Sequence, residues 1–205
     1  MLVLSDEEID ALGEIFNLGV GRAAAALSEL VRSEITMTVP QVELIPHSDL
    51  SNRMNSIGDK ICLVWQSISG AVNGRVSLYF SGPEALEVFN SLFDSSIPSD
   101  RIAEYETDAL IEVGNIILNA CVGSVANLLG VAMKISIPSL VLASPDRIVA
   151  ELDLDPRNRQ RHALMLTIRL GIAQKQISGQ VAVILDAVAL EAIRSAVGRY
   201  LADLD

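Results

Sequence analysis

The N-terminal segment has the hydrophobic periodicity of a long amphipathic helix. Between Ser5 and about Arg32, apolar residues recur at steps of three and four, which gathers them on one broad face. Ser5 and Glu8 have the spacing of a capping box, in which each side chain accepts a hydrogen bond from the other residue's backbone N–H. The pattern therefore predicts a helix that begins directly after Ser5 and ends near Arg32.

The period then changes to the two-residue alternation of β-strands. Ile35–Leu44 alternates and is rich in β-branched residues, but it contains Pro40, which has no N–H to donate to a neighbouring strand. We therefore expect Pro40 at an edge position or a bulge. Residues 60–69 and 74–80 are predicted to form a hairpin, and a helix is predicted to begin at Pro83.

The rest of the chain repeats this order of elements. We predict a long helix at about 99–129, followed by a strand through Pro138. A hairpin of 162–172 with 177–185 and a closing helix at about 187–201 are predicted to follow. This order predicts an α+β fold in which a helix–strand–hairpin–helix unit occurs twice with pseudo-twofold symmetry.

The two units are expected to form one domain over residues 1–205. A linker at 94–100 separates halves of about 1–95 and 99–205. The second half has gained a few residues, and the simplest place for them is the loop at 153–159.

Four residues recur in register across the two halves. Asp10, Glu14, Asn17 and Pro40 have counterparts 98 positions later, which are Asp108, Glu112, Asn115 and Pro138. A polar triplet and a distant proline repeated at one offset indicate that the chain has been built twice.

Each polar triplet follows one narrow stripe of its helix, because steps of four and three return to the same face. Such a stripe is typical of the solvated face of an amphipathic helix. However, an asparagine inside a helix costs helix propensity, and here it occupies the same position twice. Neighbouring residues are small or apolar, which predicts a docking face that another surface can approach closely; they are Gly13, Leu18, Gly21, Ile111, Gly114 and Leu118.

Composition excludes several classes of function. The formal charge of −11 argues against general binding to nucleic acid or anionic membranes. Two cysteines and two histidines without ligand spacing argue against a metal site or a Cys/His nucleophile, and fit a reduced cytoplasmic protein. Residues 113–133 carry no charge, but they include Asn115, Asn119 and Asn127, so a buried helix is expected rather than a membrane span.

Carboxylate and amide groups can support a limited chemistry on their own. An asparagine cannot act as a base, but its amide can hold and orient a water molecule by hydrogen bonds. Orientation of water is sufficient where the reacting bond is labile and the transition state is loose, as in phosphoryl transfer. The carboxylate can fix a partner through a salt bridge to lysine.

The paired motifs resemble the duplicated signature of the CheC/CheX/FliY chemotaxis phosphatases. The resemblance rests on Asp-x3-Glu-x2-Asn-x22-Pro in both halves and covers essentially the whole chain. Two motifs in one chain are most similar to the CheC branch. The fold that this implies is a continuous, mostly antiparallel sheet with helices packed against it.

The resemblance implies a phosphatase of the phosphorylated response regulator CheY. By that resemblance, Asn17 and Asn115 orient water toward the phosphoaspartate, and Glu14 and Glu112 contact a lysine of the regulator. Asp10 and Asp108 would have supporting hydrogen bonds, while Pro40 and Pro138 would be structural. Mg²⁺ belongs to the CheY substrate, so no cofactor or metal of the chain's own is implied.

Two other classes of function stay open. One is a non-catalytic interaction module that binds CheD or components of the flagellar switch or receptor. The other is a small-molecule sensor that uses the pseudo-twofold interface.

The two pairs differ in one neighbour. Phe16 precedes Asn17, whereas Gly114 precedes Asn115. A bulky ring beside Asn17 would crowd the docking surface, which favours Glu112/Asn115 as the stronger site. Alternatively, Phe16 packs inward and leaves both sites competent.

Overall fold

The first helix, α1 (Asp6–Val31), begins at the predicted capping box. The backbone N–H of Ser5 donates to Glu8 Oε2 at 2.7 Å, and that of Glu8 donates to Ser5 Oγ at 3.2 Å. The helix ends at Arg32, whose φ of 52° is left-handed and turns the chain toward the sheet. Ser28 Oγ then accepts from the backbone N–H of Ile35 at 2.9 Å and fixes the helix to the strand that follows.

The computed structural model describes residues 4–92, 102–152, 162–172 and 174–203. After α1, the first half contains β1 (Ile35–Pro46), a 3-10 turn (His47–Asp49), α2 (Leu50–Asn55), β2 (Ile61–Gly70), β3 (Gly74–Ser81) and α3 (Gly82–Leu92). The second half contains α4 (Ile102–Leu129), β4 (Met133–Ile135), β5 (Ser139–Ala143), α5 (Pro145–Leu152), β6 (His162–Ile172), β7 (Lys175–Leu185) and α6 (Ala187–Ala202). The predicted linker at 94–100 and the predicted insertion at 153–159 lie outside the described residues.

The seven strands form one antiparallel sheet in the order β1-β6-β7-β3-β2, after which β4 and β5 both pair with β2. The α+β prediction is therefore confirmed. The first strand of each half pairs with the hairpin of the other half: β1 with β6, and β4 and β5 with β2. The two hairpins meet at the centre, where β3 pairs with β7.

Both outer strands carry the same one-residue irregularity at the repeated proline. Thr38 pairs with Arg169 and Gln41 with Thr167, so three steps along β1 match two along β6. The equivalent four steps from Ile135 to Ser139 match three along β2, from Ile68 to Trp65. Each proline thus lies at a bulge of an outer strand, where its missing N–H costs no ladder hydrogen bond.

The prediction of one strand through Pro138 is wrong. The ladder is interrupted there, and β4 and β5 are separate strands on either side of Ser136, Ile137 and Pro138. Ser136 compensates for the lost ladder bonds, because its N–H donates to Ser67 O and its Oγ accepts from Ser67 N–H, both at 3.0 Å.

The sheet is covered on both faces. The larger apolar core lies between one face and the helices α1, α3, α4 and α6, and the smaller core lies under α2 and α5. Helix α4 is long and apolar enough to cross a membrane, but more than half of its most apolar window is buried within the fold. As expected from its asparagines, it packs as a core helix.

Candidate functional site

The two polar stripes lie on the solvent side of α1 and α4. Asn17 and Asn115 are half-buried, and the carboxylates before them are exposed; these are Asp10 and Glu14 on α1 and Asp108 and Glu112 on α4. Each half thus presents an exposed carboxylate one helical turn before a half-buried amide. The structure brings these residues together as two separate pairs, one on each helix.

The stripes are less open than the sequence predicted. Gly114 and Leu118 are buried and face the sheet, so they do not belong to a docking surface. A Cβ added to Gly114 would lie 2.5 Å from Val64 Cγ1, which shows how closely α4 approaches β2. Leu18, beside Asn17, is 65% exposed and is available to a partner.

The crowding predicted for Phe16 is also wrong. Its ring is completely buried in the larger core, together with Leu12 and Val20 of the same helix face. The ring therefore leaves Glu14 and Asn17 uncovered. Any difference between the pairs has to come from what surrounds each asparagine.

Asn17 is bonded to the backbone of the bulge in β1. Its Oδ1 accepts from the N–H of Val39 at 2.8 Å, and its Nδ2 donates to the carbonyl of Val39 at 3.4 Å. Val39 is followed by Pro40 and lies where the ladder with β6 slips, so the asparagine supplies hydrogen bonds that the strand partner does not. In the first half, the amide of Asn17 has a structural role in this state of the protein.

Asn115 is bonded to side chains instead. Its Oδ1 accepts from Gln66 Nε2 at 3.2 Å and from Asn119 Nδ2 at 3.0 Å. Gln66 Nε2 also donates to the carbonyl of Ser136, in the bulge beside Pro138, at 2.9 Å. Gln66 therefore lies between the asparagine and the bulge backbone, which are in direct contact in the first half.

This network fixes the orientation of the Asn115 amide. The carbonyl of Ser136 can only accept, so the nitrogen of Gln66 must face it and donate. The same nitrogen then requires the oxygen of Asn115, so Nδ2 of Asn115 points away. Nδ2 donates to no described residue and is not among the buried atoms, so it is open to solvent.

The register of the sheet explains why only the second half has this network. Gln41 pairs with Thr167, and its counterpart Ser139 pairs with Trp65, so Thr167 occupies the position of Trp65 in the other half. The counterpart of Gln66 is then Ile168. At the helix, the counterpart of Asn119 is Gly21. Because neither Ile168 nor Gly21 carries a side-chain donor, Asn17 bonds the backbone alone.

Three members of this network, Gln66, Ser136 and Asn119, have no role predicted from the sequence. Gln66 leaves a signal in the sequence, because it is an amide in a strand whose other inward positions are apolar; it is 2% exposed. The hydrogen bond to Asn115 spans 49 residues, and nothing in the local pattern points to it.

The carboxylates are unpaired within the described part of the chain. No basic side chain there forms a salt bridge with Glu14 or Glu112, and Asp10 and Asp108 make no hydrogen bond to another described residue. Exposed carboxylates without internal partners can accept a cation from another molecule. The supporting hydrogen bonds predicted for Asp10 and Asp108 are therefore not formed with other described residues and stay a prediction for the docked partner.

The two pairs lie at opposite ends of an antiparallel helix pair. Ile15 and Leu128 line one groove between α1 and α4, and Leu30 and Ala109 line another. Along α1, Ile15 and Leu30 are separated by roughly 20 Å at a rise of 1.5 Å per residue. The pairs are thus separate sites rather than two parts of one.

The two cysteine thiols are poor nucleophiles because both are buried. Burial raises the pKa of the Cys121 thiol to about 12, and burial together with the Glu106 carboxylate does the same for Cys62. Such thiols stay protonated and inert at neutral pH. Among the residues that the structure describes, no three His, Cys, Asp or Glu side chains form a group that could hold a metal ion.

Two comparisons identify proteins to which this chain is similar. The CheC-like family model matches residues 7–44, which include the first Glu/Asn pair and Pro40. CheC of Bacillus subtilis, a CheY-P phosphatase, is 23% identical over 168 residues, which cover 80% of this chain and 79% of that protein.

The chain is thus similar to the CheC/CheX/FliY proteins. FliY of Thermotoga maritima has the same fold as this chain, with a TM-score of 0.74 at 20% identity over 97% of this chain and 99% of that one. FliM of H. pylori, solved in a complex with SpeE, has a TM-score of 0.65 at 13% identity, over 96% of this chain and 97% of that one. At these identities both comparisons concern the fold alone.

Proposed function

We propose that this chain hydrolyses the aspartyl phosphate of a phosphorylated CheY response regulator. The observation that carries the proposal is the oriented amide of Asn115, one helical turn from the exposed, unpaired carboxylate of Glu112. The fold and the family resemblance, and a relative named as a CheY-P phosphatase, support this choice of substrate.

In this proposal, Glu112 anchors the regulator and Asn115 places the water. The carboxylate pairs with a lysine of CheY, which sets the distance between helix α4 and the phosphoaspartate. Nδ2 of Asn115 donates to the oxygen of a water molecule and holds it in line with the scissile bond. The water oxygen bonds to phosphorus, the bond from phosphorus to the aspartyl oxygen breaks, and the products are inorganic phosphate and a free carboxylate.

Asn17 and Glu14 would perform the same steps at the first site. Oδ1 and Nδ2 of Asn17 each keep one hydrogen-bonding position beyond the bonds to Val39. Those positions are set by the strand backbone, so this amide has less freedom to meet the substrate. We therefore propose that the second site is the more active.

The catalytic groups of this chain need no cofactor of their own. The charge on the reacting phosphoryl group would be neutralised by the Mg²⁺ that the CheY substrate carries, while the phosphatase contributes position and hydrogen bonds. Asp10 and Asp108 would add hydrogen bonds to the docked regulator. A cytoplasmic location follows from that substrate.

The alternative is a non-catalytic interaction module. The likeness of the fold to FliM favours this reading, as does the bond of Asn17 to the backbone of Val39, which serves structure without catalysis. The partners would then be CheD or components of the flagellar switch.

Phosphate release from phosphorylated CheY distinguishes these functions. The wild-type chain should accelerate release, and the variant with both Asn17→Ala and Asn115→Ala should bring the rate back to that of CheY alone. A double variant as active as the wild type would show that neither asparagine places the water. Absence of any acceleration, together with binding to CheD or switch components, would support the interaction module.

A further inference from the structure

We infer that Gln66 is a positioning residue of the second site, which holds Asn115 in the orientation that hydrolysis requires. This inference rests on the proposed function for the reaction itself, but the orientation can be measured without it. Gln66 touches neither solvent nor a docked partner, because it is 2% exposed and lies on the sheet beneath α4.

The bonds of Gln66 connect the bulge to the asparagine. One nitrogen, Nε2, donates both to the carbonyl of Ser136 and to Oδ1 of Asn115. With Asn119 as a second donor, both acceptor positions of that oxygen are occupied. The side chain of Asn115 can then rotate only by breaking two hydrogen bonds.

The same bonds strengthen the exposed end of the amide. Donors at the oxygen of an amide polarise it, and hydrogen bonds in such a chain reinforce one another. The N–H groups of Nδ2 therefore become better donors toward water at the phosphoryl group. Among the described residues, one donor reaches the oxygen of Asn17, the N–H of Val39.

Stability alone does not explain a glutamine at this position. Oε1 of Gln66 is buried and has no hydrogen-bond partner among the described residues, an arrangement that destabilises the fold. The other half places Ile168 at the equivalent position, fully packed and 1% exposed. A costly amide where an aliphatic side chain fits is typical of a functional constraint.

Close packing of α4 on the sheet makes the contact possible. Gly114 precedes Asn115 and lies directly against Val64, two positions before Gln66 on the same face of β2. A side chain at Gly114 would force the helix away from the strand. In the first half this position is Phe16, and the asparagine reaches the edge strand instead of the hairpin.

A double-mutant cycle on activity is the test. Gln66→Ile, which copies the first half, should lower kcat roughly tenfold with KM unchanged, since docking is untouched while the water is misplaced. Once Asn115 is replaced by alanine, Gln66→Ile should cost no further activity. Ile168→Val, a change of similar size at the equivalent position, serves as the control and should leave kcat unaltered.

A second measurement covers the case in which activity is lost for other reasons. The order parameter of the Asn115 side-chain amide, from ¹⁵N relaxation, should be high in the wild type and fall in Gln66→Ile. Asn119→Gly should produce a smaller fall. An unchanged order parameter would overturn the inference, as would a loss of kcat that persists in the Asn115→Ala background.

A wild-type chain without phosphatase activity would refute the proposed function only. The order parameter would still decide whether Gln66 fixes the amide, so the two failures are distinguishable.

Discussion

The two Glu/Asn pairs have the same residues at the same spacing but different surroundings. In the first, the asparagine bonds the backbone of its own edge strand at Val39. In the second, the asparagine bonds two side chains, one of them on the hairpin strand β2, and its Nδ2 is open to solvent. A duplicated motif thus identifies two places but does not make them equivalent, because the side chains behind the motif decide what each amide can do.

The difference also separates structure from catalysis. Asn17 has the larger part in holding the fold, and Asn115 has the larger part in the proposed reaction. Measurements of activity and of stability should therefore rank the two asparagines in opposite orders.

The largest expected effect is on activity. Asn115→Ala should lower kcat about 100-fold, the loss typical of removing one oriented hydrogen-bond donor, whereas Asn17→Ala should leave it nearly unchanged, because the rates of two separate sites add. Steady-state phosphate release with phosphorylated CheY measures both. Equal losses in the two variants would remove the proposed asymmetry between the sites.

The next effect concerns the packing of α4. Gly114→Ala should lower the free energy of unfolding by about 1–3 kcal/mol, because its Cβ would lie 2.5 Å from Val64 Cγ1. Gly123→Ala, on the same helix with nothing within 4 Å of the added Cβ, is the matched control and should be neutral or stabilising. Urea denaturation measures both, and equal stability of the two variants would contradict the close contact of α4 with β2.

The smallest expected effect reverses the ranking of the asparagines. Asn17→Ala should lower the free energy of unfolding by about 1–2 kcal/mol, because the N–H and carbonyl of Val39 both lose a partner. Asn115→Ala should cost less, since Gln66 keeps its bond to Ser136. Thermal unfolding would test this, and a larger loss for Asn115→Ala would mean that the side-chain network supports the fold more than the backbone bond does.

Local pattern predicted much of this molecule. The capping box at Ser5, the hairpins and the exposed stripes follow from periodicity and turn chemistry, which act over a few residues. The same helical period places Phe16 on the apolar face with Leu12, so the periodicity predicts that its ring is buried. The expectation of crowding came instead from its position next to Asn17 in the sequence. Pro40 at a bulge also follows, from its missing N–H alone.

Long-range pairing could not be predicted in the same way. Alternation shows which face of a strand is buried, but not which strand lies beside it. That β1 pairs with β6, and that Gln66 lies beneath Asn115, depends on contacts between distant parts of the chain. The break at Ser136 depends on such a contact too, because its partner Ser67 is on the other half.

Because the outer strand of each half pairs with the hairpin of the other half, the first half cannot complete its sheet during synthesis. Ile35 pairs with Ile172, so β1 has no partner until a segment 137 residues further along has been synthesised. At ribosomal speeds of about 5–20 residues per second, that wait is roughly ten seconds. During this time the apolar face of α1 and the unpaired edge of β1 are exposed together. Folding should therefore be slow for a protein of this size, limited by the closure of long loops, and the nascent first half should be a substrate for chaperones.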